Sequence, residues 1–145
     1  MDQADAVADR KRALRAEMRT LRNALADRQE RSHSIWSAVQ ILPEVVGAAK
    51  VLAFTSIPSE PDTEPFLAWC AAVDKETAVP EDDVDPAWPD VVVVPGLAFT
   101  ADGRRCGQGG GWYDRFLAAV RPDCVMIGVC FQPQLVADIP VEPHD

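Results

Sequence analysis

Histidine is scarce: the 145 residues contain two, and none of the four cysteines, at 70, 106, 124 and 130, stands in a CxxC pair. That composition argues against a zinc site. No apolar run approaches the ~18–20 residues needed to span a bilayer. The opening MDQADAVADRKR is acidic and polar. It lacks the charged n-region and greasy h-region of a secretory signal. The thiols are therefore expected to be reduced and the protein cytoplasmic, with no membrane partner. Positive charge is also in deficit. The net charge is −9 at pH 7 and the pI about 4.6, which argues against a nucleic-acid partner.

What the chain does have is apolar mass. Some 48% of it is hydrophobic and 26% charged, with a mean hydropathy of −0.08. A single domain over residues 1–145 with a sizeable core is expected, not a disordered tail. Eight of the fourteen Lys and Arg residues fall between Arg10 and Arg31. An acidic run spans Asp74 to Asp90, and its plain reading is a solvated face. Leu14, Met18, Leu21 and Leu25 recur with helical period. Lys11, Arg15 and Arg22 border that stripe in one arc. They either snorkel along the helix margin or project charge into a cleft.

Farther on, Ser32–Leu42 reads as a helix, with Pro43 and Gly47 near its end. Lys50–Thr55 reads as a strand running into a turn-rich loop, residues 56–63. Thr63 is a plausible N-cap for the next helix, which has Pro65 in its first turn. Asp82–Pro89 reads as an irregular acidic connection. Val91–Val94 and Cys124–Phe131 are apolar, β-branched runs that suit strands buried on both faces. A helix over Asp114–Val120 between them implies a right-handed crossover and a parallel sheet.

The chemical signal lies between Val91–Val94 and that helix. Gly107, Gly109, Gly110 and Gly111 follow Arg104 and Arg105 and precede a helix N-terminus. Glycines let backbone N–H groups approach an anion, and the helix dipole points its positive end there. A polyphosphate suits such a loop; the plain alternative is a flexible surface loop. Gly111 is followed by Trp112, not Lys-Ser/Thr, so a Walker A loop is excluded. A dinucleotide fingerprint is excluded as well, because Trp112 stands where its third glycine belongs.

The run Val94-Pro-Gly-Leu-Ala-Phe99, followed by Gly103-x-Arg105-x-Gly107-x-Gly109-Gly-Gly111-x-Tyr113-Asp114-Arg-Phe-Leu117, strongly resembles the 5-formyltetrahydrofolate cyclo-ligase (methenyltetrahydrofolate synthetase) family. Lys11-Arg-Ala-Leu-Arg15, Phe54-x-Ser56-x-x-x-Glu60-x-Asp62-Thr63, Gln134-Leu-Val136 and Pro140-Val-Glu-Pro-His-Asp145 match in the same order. The resemblance implies a three-layer α/β/α, Rossmann-like fold of the NagB/RpiA/CoA-transferase kind, with a mostly parallel central sheet. It implies conversion of 5-formyltetrahydrofolate to 5,10-methenyltetrahydrofolate with ATP and Mg²⁺. The γ-phosphoryl group would activate the formyl oxygen, and the second folate nitrogen would then close the ring.

By position, the resemblance assigns ATP binding to Lys11, Arg12, Ala13, Leu14 and Arg15, and to Arg105, Cys106, Gly107, Gln108, Gly109, Gly110, Gly111, Trp112 and Tyr113. Of these, Arg105, Gly109, Gly110, Gly111 and Tyr113 are the catalytic set. It assigns folate contacts to Thr55, Glu60, Gln108, Gly109, Gly110, Gly111 and Trp112, and Mg²⁺ to Asp114 and Asp145. Cys106 takes the place of a bulkier apolar residue, and Trp112 that of a tyrosine. Relatives carry a longer stretch between Pro80 and the Val91-type strand and a further strand beyond Asp145. ATP binding is therefore expected to be better kept than folate turnover. Two readings stay beside the enzyme: a non-catalytic nucleotide- or folate-binding relative, and a cofactor-binding protein of another α/β family. Oligomeric state is left open.

Overall fold

The computed structural model describes residues 2–81 and 83–141. Four parallel strands form the central sheet: β1 (Lys50–Leu52), β2 (Glu76–Ala78), β3 (Val91–Val94) and β6 (Val125–Gly128), in the order β2-β1-β3-β6. The helices are α1 (Gln3–Ala24), α2 (Arg28–Gln40), α3 (Pro43–Val46), α4 (Glu64–Ala72) and α5 (Trp112–Ala119). Between β3 and α5 lies an antiparallel hairpin of β4 (Ala98–Phe99) and β5 (Arg105–Cys106).

Alternate strand residues serve opposite faces, as the pleat requires. Val51, Val91 and Val93 pack with Trp36, Val39, Phe66 and Cys70 of α2 and α4. Leu52, Val92 and Val94 pack with Phe116 of α5. Every residue of β3 is buried, so the valine run is the middle of a helix–sheet–helix sandwich. Phe66 is fully buried and stacks between Trp36 and Trp69, with ring centroids 4.8 and 5.9 Å away. A side chain of that size contributes roughly 2–3 kcal/mol by burial alone.

Helix α1 does not lie on the sheet. Asp2 caps it through a bond accepted from the Asp5 N–H, 2.8 Å. Its stripe, with Met18 buried and Leu14 and Leu21 half-buried, packs on Leu97, Ala98, Cys106 and Ile139. The hairpin thus receives the first helix, and this sets the basic arc against the glycine loop.

Four expectations need correction. The second helix begins at Arg28 and ends at Gln40, not Ser32–Leu42. Ser32 lies inside the helix, and its Oγ accepts the Asp62 N–H at 2.9 Å. Thr63 stands at the N-cap of α4 as expected, but its side chain makes no capping bond: its Oγ1 accepts the Ser56 N–H at 3.3 Å. The strand expected over Lys50–Thr55 stops at Leu52. The last strand is not buried on both faces: β6 is the sheet edge, its burial alternates, and Met126 is 55% exposed. Edge strand β2 and the β4–β5 hairpin had no counterpart in the sequence reading.

The acidic run is not all solvated face. Asp90 Oδ2 accepts the Ala49 and Lys50 N–H groups, each at 3.0 Å, and Oδ1 accepts from Arg121 Nη2 at 2.8 Å. It ties β1 to the start of β3. The Arg121 hydrogen bond foremost, with the two backbone donors, holds this carboxyl below the usual range. A depressed carboxyl contributes stability above its unfolded value of about 3.9 and loses it as pH falls through the folded value. Asp90→Asn should therefore lower Tm modestly at neutral pH, solvent screening limiting the effect. The gap from wild type should close in acid, once pH has fallen below the ordinary carboxylate range and the folded-state carboxyl is protonated as well. A gap that persists in acid would show that charge is not the cause.

Candidate functional site

The glycine loop is held from three sides. On the α1 side, Arg15 Nε donates to Gly107 O at 3.3 Å and Arg19 Nη2 to Gln108 O at 3.1 Å. On the sheet side, Arg105 Nη1 donates to Pro95 O at 3.1 Å, and its Nη2 pairs with Asp114 Oδ1 at 2.8 Å. The same guanidinium lies over the Tyr113 ring, 5.8 Å from the centroid. On the loop 56–63 side, Gln108 Nε2 donates to Glu60 Oε2 at 3.3 Å. Gly109 and Gly111 have φ of 105° and 75°. Only glycine adopts such angles without strain, and Gly111 at this angle opens α5, aiming that helix's positive end at the loop.

Loop 56–63 is rigid for a nameable reason. Trp36 Nε1 donates to Asp62 O at 2.6 Å, and the Thr63 N–H donates to Ser56 Oγ at 3.1 Å. Arg28 donates from Nε to Glu60 O at 2.7 Å and from Nη2 to Ile57 O at 3.1 Å. Glu60 is 5% exposed. Its Oε1 accepts the Ile57 N–H at 2.9 Å. Burial pushes its carboxyl above the ordinary range, against the pull of the Ile57 N–H and of Arg22 and Arg28. Burial also pushes the Tyr113 hydroxyl upward, with Glu60 adding to it. The Tyr113 hydroxyl is buried with no hydrogen-bond partner among the described residues.

The residues singled out in sequence separate into three groups. Arg15, Arg105, Gly107, Gln108, Tyr113, Asp114 and Glu60 are brought together by the contacts given above, around the loop that carries Gly109, Gly110 and Gly111. Lys11 joins them, close enough to Cys106 to offset part of the rise that burial gives its thiol. Arg12 turns outward to pair with Asp9, Ala13 is exposed and Leu14 packs on the hairpin core. Thr55 is exposed. Trp112 stacks on Phe116, centroids 4.7 Å apart, beside Tyr113. Asp145 lies outside the described residues.

One arginine was missed as a site residue. Arg19 follows Arg15 by one helical turn, and that spacing was the available signal. Arg22, which the sequence set in one arc with Lys11 and Arg15, is 4% exposed, and its Nε and Nη1 have no hydrogen-bond partner among the described residues; its burial has no sequence signature. No group of three or more His, Cys, Asp or Glu side chains among the described residues is placed to hold a metal alone. No helix among them is long and apolar enough to cross a membrane.

The sequence model of the 5-formyltetrahydrofolate cyclo-ligase family matches residues 75–145. Curated 5-formyltetrahydrofolate cyclo-ligases from Mycolicibacterium smegmatis and Mus musculus are 43% identical over 56 residues and 32% over 87. The mitochondrial one from Arabidopsis thaliana is 39% identical over 66. These matches take in 39%, 56% and 39% of this chain, and 29%, 42% and 24% of the relatives. Less than half of each curated relative is therefore spanned. The NMR structure of Aquifex aeolicus 5,10-methenyltetrahydrofolate synthetase superposes with a TM-score of 0.79 at 26% identity, over 91% of this chain and 83% of that one. The Mycoplasma pneumoniae 5,10-methenyltetrahydrofolate synthetase superposes at 0.80 and 21% identity over 92% of each, a likeness of fold. Residues 75–145, which hold the glycine motif, are thus similar to the 5-formyltetrahydrofolate cyclo-ligase family, and the chain shares the fold of the two 5,10-methenyltetrahydrofolate synthetases.

Proposed function

We propose that the chain binds ATP and a reduced folate in the cleft between α1, loop 56–63 and the glycine loop, and closes 5-formyltetrahydrofolate to 5,10-methenyltetrahydrofolate. The observation that carries this reading is the double anchoring of one loop. Arg15 and Arg19 hold its backbone from the basic helix, while Gln108 reaches from it to the buried Glu60. A phosphate-type loop and a loop carrying a buried carboxylate therefore share a wall.

When bound, ATP supplies the phosphoryl group that makes the formyl oxygen a leaving group, and Mg²⁺ neutralises phosphate charge. The chain's own work is positioning and electrostatics, which dominate phosphoryl transfer. Lys11, Arg15 and Arg105 supply fixed positive charge, and the Gly107–Gly111 backbone supplies close N–H groups. Glu60 orients Gln108 and offers an acceptor to substrate N–H groups. Mg²⁺ commonly takes one or two carboxylates plus phosphate and water. Asp114, 78% exposed and already aligned by Arg105, fits that donor set. Lys11 to Arg15, Arg105 to Tyr113, Thr55 and Glu60 remain the proposed ligand contacts, Asp114 and Asp145 the proposed metal ligands, and residues 1–145 one domain. The reduced thiols suit a cytoplasmic setting.

The test pairs an absorbance assay for methenyl product with calorimetric titration of ATP-Mg. Product formation dependent on ATP and Mg²⁺ supports the enzyme. ATP binding without product supports the non-catalytic relative. Asp114→Asn should lower turnover by about 100-fold at limiting Mg²⁺ while the fold persists, since the lost carboxylate is exposed and structurally cheap. Unchanged turnover would remove Asp114 from the metal site.

A further inference from the structure

The glycine loop, as it stands, is occupied by the chain itself. A phosphate site turns backbone N–H groups toward its anion. Here two carbonyl oxygens face the basic helix instead. Gly107 O accepts from Arg15 Nε at 3.3 Å, and Gln108 O accepts from Arg19 Nη2 at 3.1 Å. Two cations of α1 are thus committed to the loop's own backbone. The same loop also covers Glu60. Gln108 is exposed, and its Nε2 donates to Glu60 Oε2 at 3.3 Å, whereas Glu60 is buried. Glu60 Oε1 is taken by the Ile57 N–H at 2.9 Å. An exposed amide therefore sits on a buried carboxylate. The chain that carries the amide is free to turn. A Cβ built on Gly109 or Gly110 would meet nothing within 4 Å among the described residues, so the loop tip stands clear of the fold. Glycine populates positive and negative φ about equally, so reorienting the peptides there carries little strain. The root is fixed, because a Cβ on Gly107 would lie 2.8 Å from Arg105 Nη1.

We propose that this loop is a self-occupied gate: a polyphosphate that takes over Arg15 and Arg19 releases the Gly107 and Gln108 carbonyls, and the loop's departure withdraws Gln108 from Glu60. The proposal rests on the phosphate reading of the glycine loop. The exchange favours the anion, because a phosphate oxygen is charged and meets a guanidinium fork with two bonds where a carbonyl makes one. Gln108 links the two events. Its carbonyl is held by Arg19 and its side-chain amide by Glu60, so a peptide that turns at one end pulls at the other. Phosphate binding and exposure of the Glu60 carboxylate are thereby coupled. Coupling is reciprocal: whatever parts Gln108 from Glu60 strengthens phosphate binding.

Calorimetric titration of the whole chain with tripolyphosphate, for wild type, Gln108→Ala and Gln108→Met, reads the coupling. Both variants should bind about 3- to 10-fold tighter than wild type, because the closed form has lost the hydrogen bond that competes with the anion. A Gln108 that merely contacts phosphate gives the opposite sign. Exposure of Glu60 is read by coupling glycine ethyl ester to carboxyl groups with a carbodiimide, in excess over tripolyphosphate, and following the Glu60 peptide by mass. Saturating tripolyphosphate should speed labelling of Glu60 about 10-fold in wild type. In both variants labelling should be fast from the start and indifferent to tripolyphosphate. Tripolyphosphate binding that is weaker or unchanged in the variants overturns the proposal, as does Glu60 labelling in wild type that ignores tripolyphosphate. Tightening in Gln108→Ala but not in Gln108→Met would trace the effect to side-chain bulk and overturn the latch. No binding of tripolyphosphate or ATP-Mg by wild type at millimolar concentration removes the phosphate reading and the gate with it. A coupled gate in a chain that forms no methenyl product upholds the proposal and overturns the activity alone.

Discussion

Arg105→Met is expected to lower kcat/KM for ATP-dependent ring closure by about 100- to 1,000-fold. The proposed activity makes this guanidinium the hub of the phosphate loop. It bonds Pro95 O and Asp114, covers the Tyr113 ring, and is only 14% exposed. Removing it takes away one fixed charge and two contacts that hold other groups in place. At ~1.5–3 kcal/mol for each charged hydrogen bond, losing one or two in the transition state gives that range. Stability should suffer much less. The Asp114 end of the ion pair is exposed, where such pairs contribute ~0–1 kcal/mol, and the other lost bond is a single one to a backbone carbonyl. Arg105→Lys should recover only part of the loss, since an ammonium cannot reach Pro95 O and Asp114 in one plane. Steady-state kinetics with ATP and folate varied separately decide the matter. If kcat/KM for both substrates stays within threefold of wild type, Arg105 is a loop brace and not part of the phosphate site.

The second large effect falls on stability. Gln134 is fully buried in the 3₁₀ turn Gln132–Gln134. Its Nε2 donates to Gly96 O and Leu97 O, both at 3.1 Å, and its Oε1 accepts the Phe131 N–H at 3.0 Å. This one amide ties the segment after β6 to the turn that leads from β3 into the β4–β5 hairpin. Gln134→Leu preserves volume and strands three buried backbone groups. Each stranded group costs ~1–3 kcal/mol, so the loss should be about 3–5 kcal/mol. In a chain of this size that lowers Tm by roughly 10–15 °C. Gln134→Glu should be no better, because it keeps the acceptor, loses both donors and buries a charge. Denaturant unfolding measures this directly, and a loss under ~1 kcal/mol would mean that the turn re-forms its bonds without the side chain.

Local pattern carried the sequence reading as far as local physics reaches. The Leu14–Met18–Leu21 spacing sufficed for α1 because a helix buries one stripe, and the structure sets that stripe on the hairpin. Val91–Val94 sufficed for the central strand because four β-branched residues have no other economical place. The glycine motif showed a loop of positive-φ turns because that conformation is written in residues with no Cβ. Short elements were illegible: β2 and the β4–β5 hairpin have two or three residues each and exist only through their neighbours' hydrogen bonds. The period of Cys124–Phe131 could not show that β6 would stand at an edge with Met126 exposed, because sheet order is a global property.

The same division runs through the candidate site. Residue type and order alone determined the family resemblance, the glycine loop and the basic face of the first helix. Tertiary structure alone decided which cations reach the loop. Arg15 and Arg19 do, while Arg12 turns away to Asp9. It also decided that Asp90 is a strand tie within an otherwise acidic run, that Glu60 is buried beside Gln108, and that Arg22 is buried with its Nε and Nη1 unpartnered among the described residues. Burial and partnership depend on residues up to ninety positions away in sequence, such as Arg15 with Gly107. Desolvation, which makes a buried charge costly and therefore informative, appears only once the chain has closed around it.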